Sequence, residues 1–498
     1  MALTKVCGIE TEYGIVVTGS PDANPIQSSS QLVNAYVSTL GRMLQSKVSW
    51  DFEDEMPGND ARGYSTGGAL PPEVETHLVN AVLTNGARFY VDHAHPEYSS
   101  PECINALQAT LYDAAGEEVM RRAMDASKDL FPGDHQIVVY KNNSDGKGNS
   151  YGTHENYLMD RQVPFTKVIV HVMPFFVTRQ VFCGAGKVGC ELPGVSGVPF
   201  QLSQRADFFE EEVGLETTLK RPLINTRDEP HADSGKYRRL HVIVGDANMS
   251  PVATYLKLGS TSIVLAMLED GMFEDRNFTI VDPVKTLRSV SQDPSLAYTF
   301  ELTNGRRLTA IELQWEYFQL AKTWADRFGV AAVGSQIGED ILHRWEATLA
   351  GLEKDPWSMA ATVDWVAKRR LLDGFRERHG LPWSSAKLRA IDIQYHDIRP
   401  EKSLAARSGL SDLFPVDQVR HAATNPPRDT RAYFRGRCLQ KFPGEVAAAN
   451  WDSLVFDLGT DPLRRVPMLD PLKGNAAMVD SLLDQSETAS DLLRLLGA

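Results

Sequence analysis

Apolar and polar residues alternate from Lys5 to Thr18 in a stretch rich in β-branched side chains, and this two-residue period predicts a strand. Arg88 to Asp92, Ile137 to Lys141, His154 to Met159, Lys167 to Met173 and Leu240 to Gly245 carry the same signature. Between Ser28 and Lys47 a one-turn period replaces it: Leu32, Tyr36, Leu40 and Leu44 line one face behind a serine cap, which predicts a helix. Ser99-Ser100-Pro101-Glu102 reads as a capping box with proline in the first turn, opening a second helix. From Leu308 the period stays helical through Leu308 to Phe328, Gly338 to Glu353 and Ser358 to Arg378. Past about Asp412, helices mix with a strand-like run from Trp451 to Phe456. The expectation is an α+β chain without internal repeats, with a large unit over 1–411 and a small one over 412–498.

Periodicity stops between Val48 and Glu75. DFEDE, scattered glycines and Pro71-Pro72 fill a stretch too long and too polar for an ordinary connection. It reads as a mobile functional loop or a disordered insertion without an apolar face.

Charge narrows the range of partners. A net charge of −14 opposes loose binding to nucleic acid or anionic membranes, both of which need Lys and Arg to neutralise phosphate. Local basic runs at Lys236 to Arg239 and Lys368 to Arg378 remain available to an acidic protein. The five cysteines are scattered with no C-x-x-C pair, so reduced thiols are expected instead of a disulfide framework or a zinc knot. No apolar run approaches the ~20 residues of a membrane helix, and Met1 to Gly8 has no leader pattern, which makes the cytoplasm the expected location.

The candidate chemistry lies on the strands. Alternation places Glu10 and Glu12 on one face, and likewise Arg88, Tyr90 and Asp92, His154 and Asn156, and Arg239 and His241. A simple sandwich would put apolar residues on these faces, so four polar ones together point to a cleft over an antiparallel sheet, the alternative being that they are merely its solvent side. Crowded carboxylates stay ionised only with cations, and hard oxygen ligands suit Mg²⁺. Glu97 in HAHPEYSSPE is a further oxygen ligand; His93 and His95 lack a third soft ligand for zinc. Arg205, Arg227 and Arg239 offer bidentate geometry to phosphate. Three pattern matches fail on context. Gly184-x-Gly186-x-x-Gly189 does not open a helix, Gly186-Lys187 lacks the rest of a P-loop, and Gly63 to Gly67 has no strand before its serine.

GIETEYG, NGARFYVDHAHPEYSSPEC, YKNNSDGKGNSYGTHENYL, TRQVFCGAGKV, INTRDEPHADSGKYRRLHVIVGDANMS and IQYHDI resemble the Pup ligase and Pup deamidase/depupylase family, relatives of carboxylate-amine ligases built like glutamine synthetase. The resemblance spans nearly the whole chain. It implies a glutamine synthetase-like domain whose curved antiparallel sheet packs on helices, and a small C-terminal domain. It also implies bound ATP, or ADP plus phosphate, with Mg²⁺; Pup and pupylated proteins as partners; and an indirect link to the proteasome. Position by position, it implies Asp92 as the catalytic residue, Glu10, Tyr90, Glu97 and His154 as metal ligands, and Arg88, Ser100 and Trp451 at the nucleotide. The insertion, over about 44–77, and the DHAHPEYSSPE spacing resemble the deamidases more than the ligases. The activity implied is hydrolysis of the glutamine amide at the modifier's C-terminus and of its isopeptide bond to lysine; ligation is the alternative on the same scaffold.

Overall fold

A computed structural model describes residues 1–20, 22–40, 48–53, 55–65, 79–130, 135–459 and 462–497. Its centre is a six-stranded sheet in the order Tyr237–Val242, Thr153–Asp160, Cys7–Glu12, His95–Ser99, Arg88–Asp92, Asn80–Val82. Every neighbouring pair is antiparallel. One face is apolar: Cys7, Ile9, Phe89, Val91, Tyr98, Tyr157, Leu240 and Val242 are buried. Helices Pro25–Thr39, Ala106–Ser127 and Pro251–Glu269 pack on the sheet. The opposite face carries the polar residues that alternation assigns to it.

The expected strand from Lys5 to Thr18 is two strands. Cys7–Glu12 joins the large sheet, while Gly14–Val17 pairs with Ile137–Tyr140. The break falls at Tyr13, and at Gly14, the first residue of the second strand, a Cβ would collide with Asn142. Ile137–Tyr140 and Thr153–Asp160 therefore belong to different sheets, although only one turn-rich loop separates them. The first long helix starts at Pro25 behind Asn24, whose side chain accepts from Ile26 and Gln27, and ends at Thr39. The remainder of the expected helix, 41–47, lies outside the described residues.

Two other expectations fail for physical reasons. Lys167 to Met173, expected as a strand, lies within the helix Phe165–Thr178. Its β-branched residues favour a strand, but Phe165, Val168, Val172, Phe175 and Phe176 recur at helical spacing and are buried in the core, and packing overrides propensity. The Ser99 to Glu102 segment opens no helix. Ser99 ends a strand, the Ser100 hydroxyl accepts from Ile9 N at 3.0 Å, and the helix begins at Ala106 behind Asn105.

The helix Pro251–Glu269 is long and apolar enough by composition to cross a membrane, which corrects the sequence-based reading that no such run exists. It is the core helix of the large unit, with Val252 to Leu268 buried throughout. A second core gathers Tyr433, Phe434, Leu439, Phe442, Leu454, Phe456, Leu483 and Leu492 around a four-stranded sheet. Val48, Trp50 and Val82 from the N-terminal region complete it, and Ser49–Trp50 pairs in parallel with Ala448–Ala449. The stretch from Val48 thus carries apolar anchors where none was expected. Of the expected insertion, residues 44–47, 54 and 66–77 lie outside the described residues.

A candidate active site on the polar face of the sheet

Strand register brings the sequence-selected side chains together. Glu10 pairs with Ser99 on one side and His154 on the other; Glu12 pairs with Glu97, Glu97 with Tyr90, and Asn156 with His241. Direct partners in an antiparallel ladder share a face, so these residues point the same way. A cavity of about 420 Å³ opens over them, lined by Glu10, Arg88, Tyr90, Asp92, Glu97, His154, Arg227, Arg239, His241 and Trp451. A smaller cavity of about 100 Å³ adjoins it and shares Glu10, His231, Arg239 and Trp451. Ser100 lines this second space. Arg205 lines neither; it is buried, donates to the carbonyls of Ile243 and Gly245, and bonds Ser150 Oγ at 3.3 Å.

One end of the large cavity is acidic. Asp92 and Glu97 line it, and with the neighbouring Glu12 each offers an oxygen, all within 4.8 Å of one another. Asp92 ends its strand at the two-residue turn His93-Ala94, and His93 takes a left-handed φ of 50° to close it. His93 Nδ1 lies 3.0 Å from the Asp92 carboxylate. Burial and the Asp92 charge push the Glu12 carboxyl up to about 7, against the pull of Arg205. Burial, then Asp92, Glu10 and Glu12, raise Glu97 well above the usual carboxylate range. This crowding of oxygen ligands in a buried site is what a hard divalent cation relieves, so the residues fit Mg²⁺.

Beside it stands a mixed cluster of Glu10, His154 and His241, whose ligand atoms also lie within 4.8 Å. Burial first, then Arg205 and Arg227, keeps the His154 imidazole neutral; burial and Arg239 do the same for His241. A neutral imidazole has a lone pair free for a metal. Asn156 ties the cluster together, donating to Glu10 at 2.9 Å and accepting from Arg239 at 2.8 Å. Gly152 sits against both clusters, where a Cβ would strike the His154 ring and Glu12 Oε1. The loop before the Thr153–Asp160 strand can approach this closely only because it carries no side chain there.

The other walls are cationic and aromatic. The Arg88 guanidinium stacks 4.1 Å over the Trp50 ring and 3.8 Å over Tyr90, and bonds Asn80 at 2.5 Å and 2.9 Å. Trp50 meets Trp451 edge to face at 5.2 Å. Arg227 Nε is buried without a hydrogen-bond partner among the described residues, an orphan donor on the cavity wall. Such a donor is costly unless an anion meets it, so the wall fits a phosphate group.

Glu12, Glu55, Glu229, His231 and His241 were not singled out from sequence as ligands, although strand alternation with Glu10 and Arg239 marks Glu12 and His241. Glu55, Glu229 and His231 come from irregular segments with no period to read. His95 turns away from metal chemistry: its Nδ1 lies 3.0 Å from the Tyr13 carbonyl and its ring stacks on Tyr151. Nor do the basic residues from Lys368 to Arg378 form one patch, since Lys368 is buried against Asp392 at 2.7 Å and Arg369 and Arg376 face Asp373.

The family model described as Pup-ligase protein matches residues 5–455. A depupylase of Acidothermus cellulolyticus is 55% identical over 503 residues, covering 99% of this chain and 99% of the relative. A Pup deamidase/depupylase of Mycobacterium tuberculosis is 48% identical over 508 residues, covering 100% of this chain and 99% of its own. A Pup–protein ligase of Acidimicrobium ferrooxidans is 40% identical over 492 residues, with 96% and 98% covered. Among solved structures, the complex of the prokaryotic ubiquitin-like protein Pup with its ligase PafA matches at a TM-score of 0.80 and 31% identity, over 97% of this chain and 92% of that one. PafA in complex with ADP matches at 0.73 and 33%, over 81% and 89%. Full-length matches at these identities, together with a sheet whose polar face gathers Glu10, Tyr90, Asp92, Glu97 and His154, lead to one conclusion: the chain belongs to the Pup-ligase family.

Proposed function

We propose that this chain converts the C-terminal glutamine of the prokaryotic ubiquitin-like protein Pup to glutamate and cleaves the isopeptide bond between Pup and a protein lysine, with ATP, or ADP plus phosphate, and Mg²⁺ as bound cofactors. The observation that carries this reading is the cavity over the sheet, whose wall combines Asp92 and Glu97, beside Glu12, with the orphan donor of Arg227. The full-length likeness to depupylases at 55% and 48% supports hydrolysis over ligation, against 40% for a ligase.

In this reading Glu12, Asp92 and Glu97 on one side, and Glu10, His154 and His241 on the other, hold Mg²⁺, with Tyr90 at the junction. The metal supplies Lewis acidity toward developing negative charge on oxygen. Arg88, Arg227, Arg239, Ser100 and Trp451 hold the nucleotide, and buried Arg205 lends positive charge behind Glu12. Asp92 acts on the amide carbonyl either directly as a nucleophile or as a base toward water. Amide hydrolysis is downhill, so the nucleotide is not consumed. Residues 412–498 form the small domain that closes over the nucleotide, and the enzyme works in the cytoplasm on pupylated proteins, linked only indirectly to the proteasome.

The test incubates the protein with ATP, Mg²⁺ and glutamine-ended Pup, following the mass of Pup and the release of ADP. Conversion of amide to acid without stoichiometric ADP supports the proposal. Conjugate formation with ADP release would establish ligation in its place.

A further inference from the structure

Arg435 is wholly buried at the join between the sheet and the second core. Its helix, Ala432–Lys441, belongs to the second core, yet its guanidinium reaches across to the first. Nε and Nη2 donate to the Gly86 carbonyl at 3.1 and 2.8 Å; Nη1 and Nη2 bond Glu102 at 3.3 and 2.5 Å; Nη1 also donates to the Trp451 carbonyl at 2.9 Å. The same guanidinium carbon lies 5.1 Å from the Trp451 ring centroid. One planar cation therefore holds both the backbone and the ring of Trp451 while anchored to the segments flanking the Arg88–Asp92 and His95–Ser99 strands. Glu102 is in turn held by Arg431 at 2.7 Å, and Glu102, Arg431, Trp451 and Ser100 all line the smaller cavity.

We propose that Arg435, anchored by Glu102, is a positioning residue that fixes Trp451 at the nucleotide cavity. The inference rests on the proposed contact between Trp451 and the nucleotide. A guanidinium suits the task because its fork makes several directed bonds in one plane, and a lysine ammonium cannot serve Gly86, Glu102 and Trp451 together. Nucleotide affinity then depends on a residue that never touches the nucleotide. The turn at Gly86 has the close approach this requires: its φ is +82°, and a Cβ there would stand 3.0 Å from the Ala432 carbonyl.

A double-mutant cycle tests it in the full-length protein, by calorimetric titration with ADP and Mg²⁺. Arg435→Met should weaken ADP binding about 10-fold, and Arg435→Lys less. In a Trp451→Ala background, Arg435→Met should add less than about 2-fold, because the residue it positions is gone. The KM for ATP in Pup deamidation should rise in Arg435→Met while kcat at saturation stays within about 2-fold. Factors that simply multiply in the double variant, or unchanged ADP affinity in Arg435→Met, overturn the inference. If Arg435→Met does not fold, Arg435→Lys and Glu102→Gln take its place in the same cycle, under the same criterion. Unchanged ADP affinity in Trp451→Ala would refute the Trp451 contact and this inference with it. Absence of amide hydrolysis by the natural chain would refute the proposed activity and leave the ADP titrations readable.

Discussion

Replacing Glu12 by Gln removes a charge that burial first, and then Asp92, oppose at the acidic end of the cavity. Glu12 and Asp92 offer oxygens within 4.8 Å of each other, and at an effective dielectric of ~20 such a pair of charges costs ~3.5 kcal/mol. The Glu12 carboxyl is raised from 4.5 to about 7, which corresponds to ~3 kcal/mol once the opposing pull of Arg205 is included. A carboxyl whose folded value is raised favours the folded state below its unfolded value and loses that advantage as pH rises to the folded one, so the window is about 4.5 to 7. In EDTA, Glu12→Gln should therefore stabilise the protein by ~3 kcal/mol near pH ~8.5 and by only ~1 kcal/mol near pH ~5.5. For 498 residues unfolding together, the larger figure raises the melting midpoint by ~3 °C. Saturating Mg²⁺ should reverse the order, since the natural chain gains more from a cation that binds only the folded state. Scanning fluorimetry at both pH values, with and without Mg²⁺, reads all of these. A variant that melts below the natural protein in EDTA at the higher pH refutes the reasoning, as does an equal Mg²⁺-induced gain in both proteins.

Asp92→Asn should abolish Pup deamidation by at least ~10³-fold and leave metal-free ADP affinity within ~2-fold, because the Arg88, Arg227 and Trp451 walls are untouched; full activity in a mass-based assay would remove Asp92 from the mechanism. Trp50→Ala should cost ~3–5 kcal/mol and expose the Val446–Ala449 and Ser453–Phe456 strands to hydrogen exchange, since Trp50 is buried in the second core; unchanged protection there would contradict that placement. Burial alone would raise Glu102, but Arg435 and Arg431 hold it at about 2. Its stabilising effect is thus present above about pH 4.5 and lost as pH falls toward about 2. Denaturant melts between pH ~6 and ~3 should lose less stability in Glu102→Gln than in the natural chain, and equal slopes would exclude the pairing as the cause.

The polar face of the sheet was legible because a strand's period of two is rigid: once Glu10, Tyr90, Asp92, His154 and Arg239 were placed on strands, their shared orientation followed. Which strand lies beside which was not legible. The pairing of Cys7–Glu12 with both Thr153–Asp160 and His95–Ser99 depends on contacts distant in sequence. The Phe165–Thr178 helix misled for a related reason: Lys167 to Met173 alternates well enough for a strand, and only burial on the core side decides for helix. Ser100 had the right residues for a cap, but its hydroxyl is taken by Ile9, a partner no local window contains. Glu229 and His231 were invisible because irregular segments carry no period; His231 moreover adopts a left-handed φ of 46° that its residue type does not announce.

The second core borrows Val48, Trp50 and Val82 from a part of the chain synthesised long before the rest of it. A chain cut between Ala423, the last residue of the first core, and Tyr433 of the second would consequently yield two fragments that each lack something: the N-terminal piece would display an uncovered tryptophan to chaperones and proteases, and the C-terminal piece would lack the parallel edge strand Ser49–Trp50. Neither piece should persist alone, whereas co-expressed halves have a ready-made interface through which to find each other. The two lobes are therefore bound into one unit of inheritance, and recombination that exchanges the C-terminal lobe between relatives must carry the 48–50 strand with it.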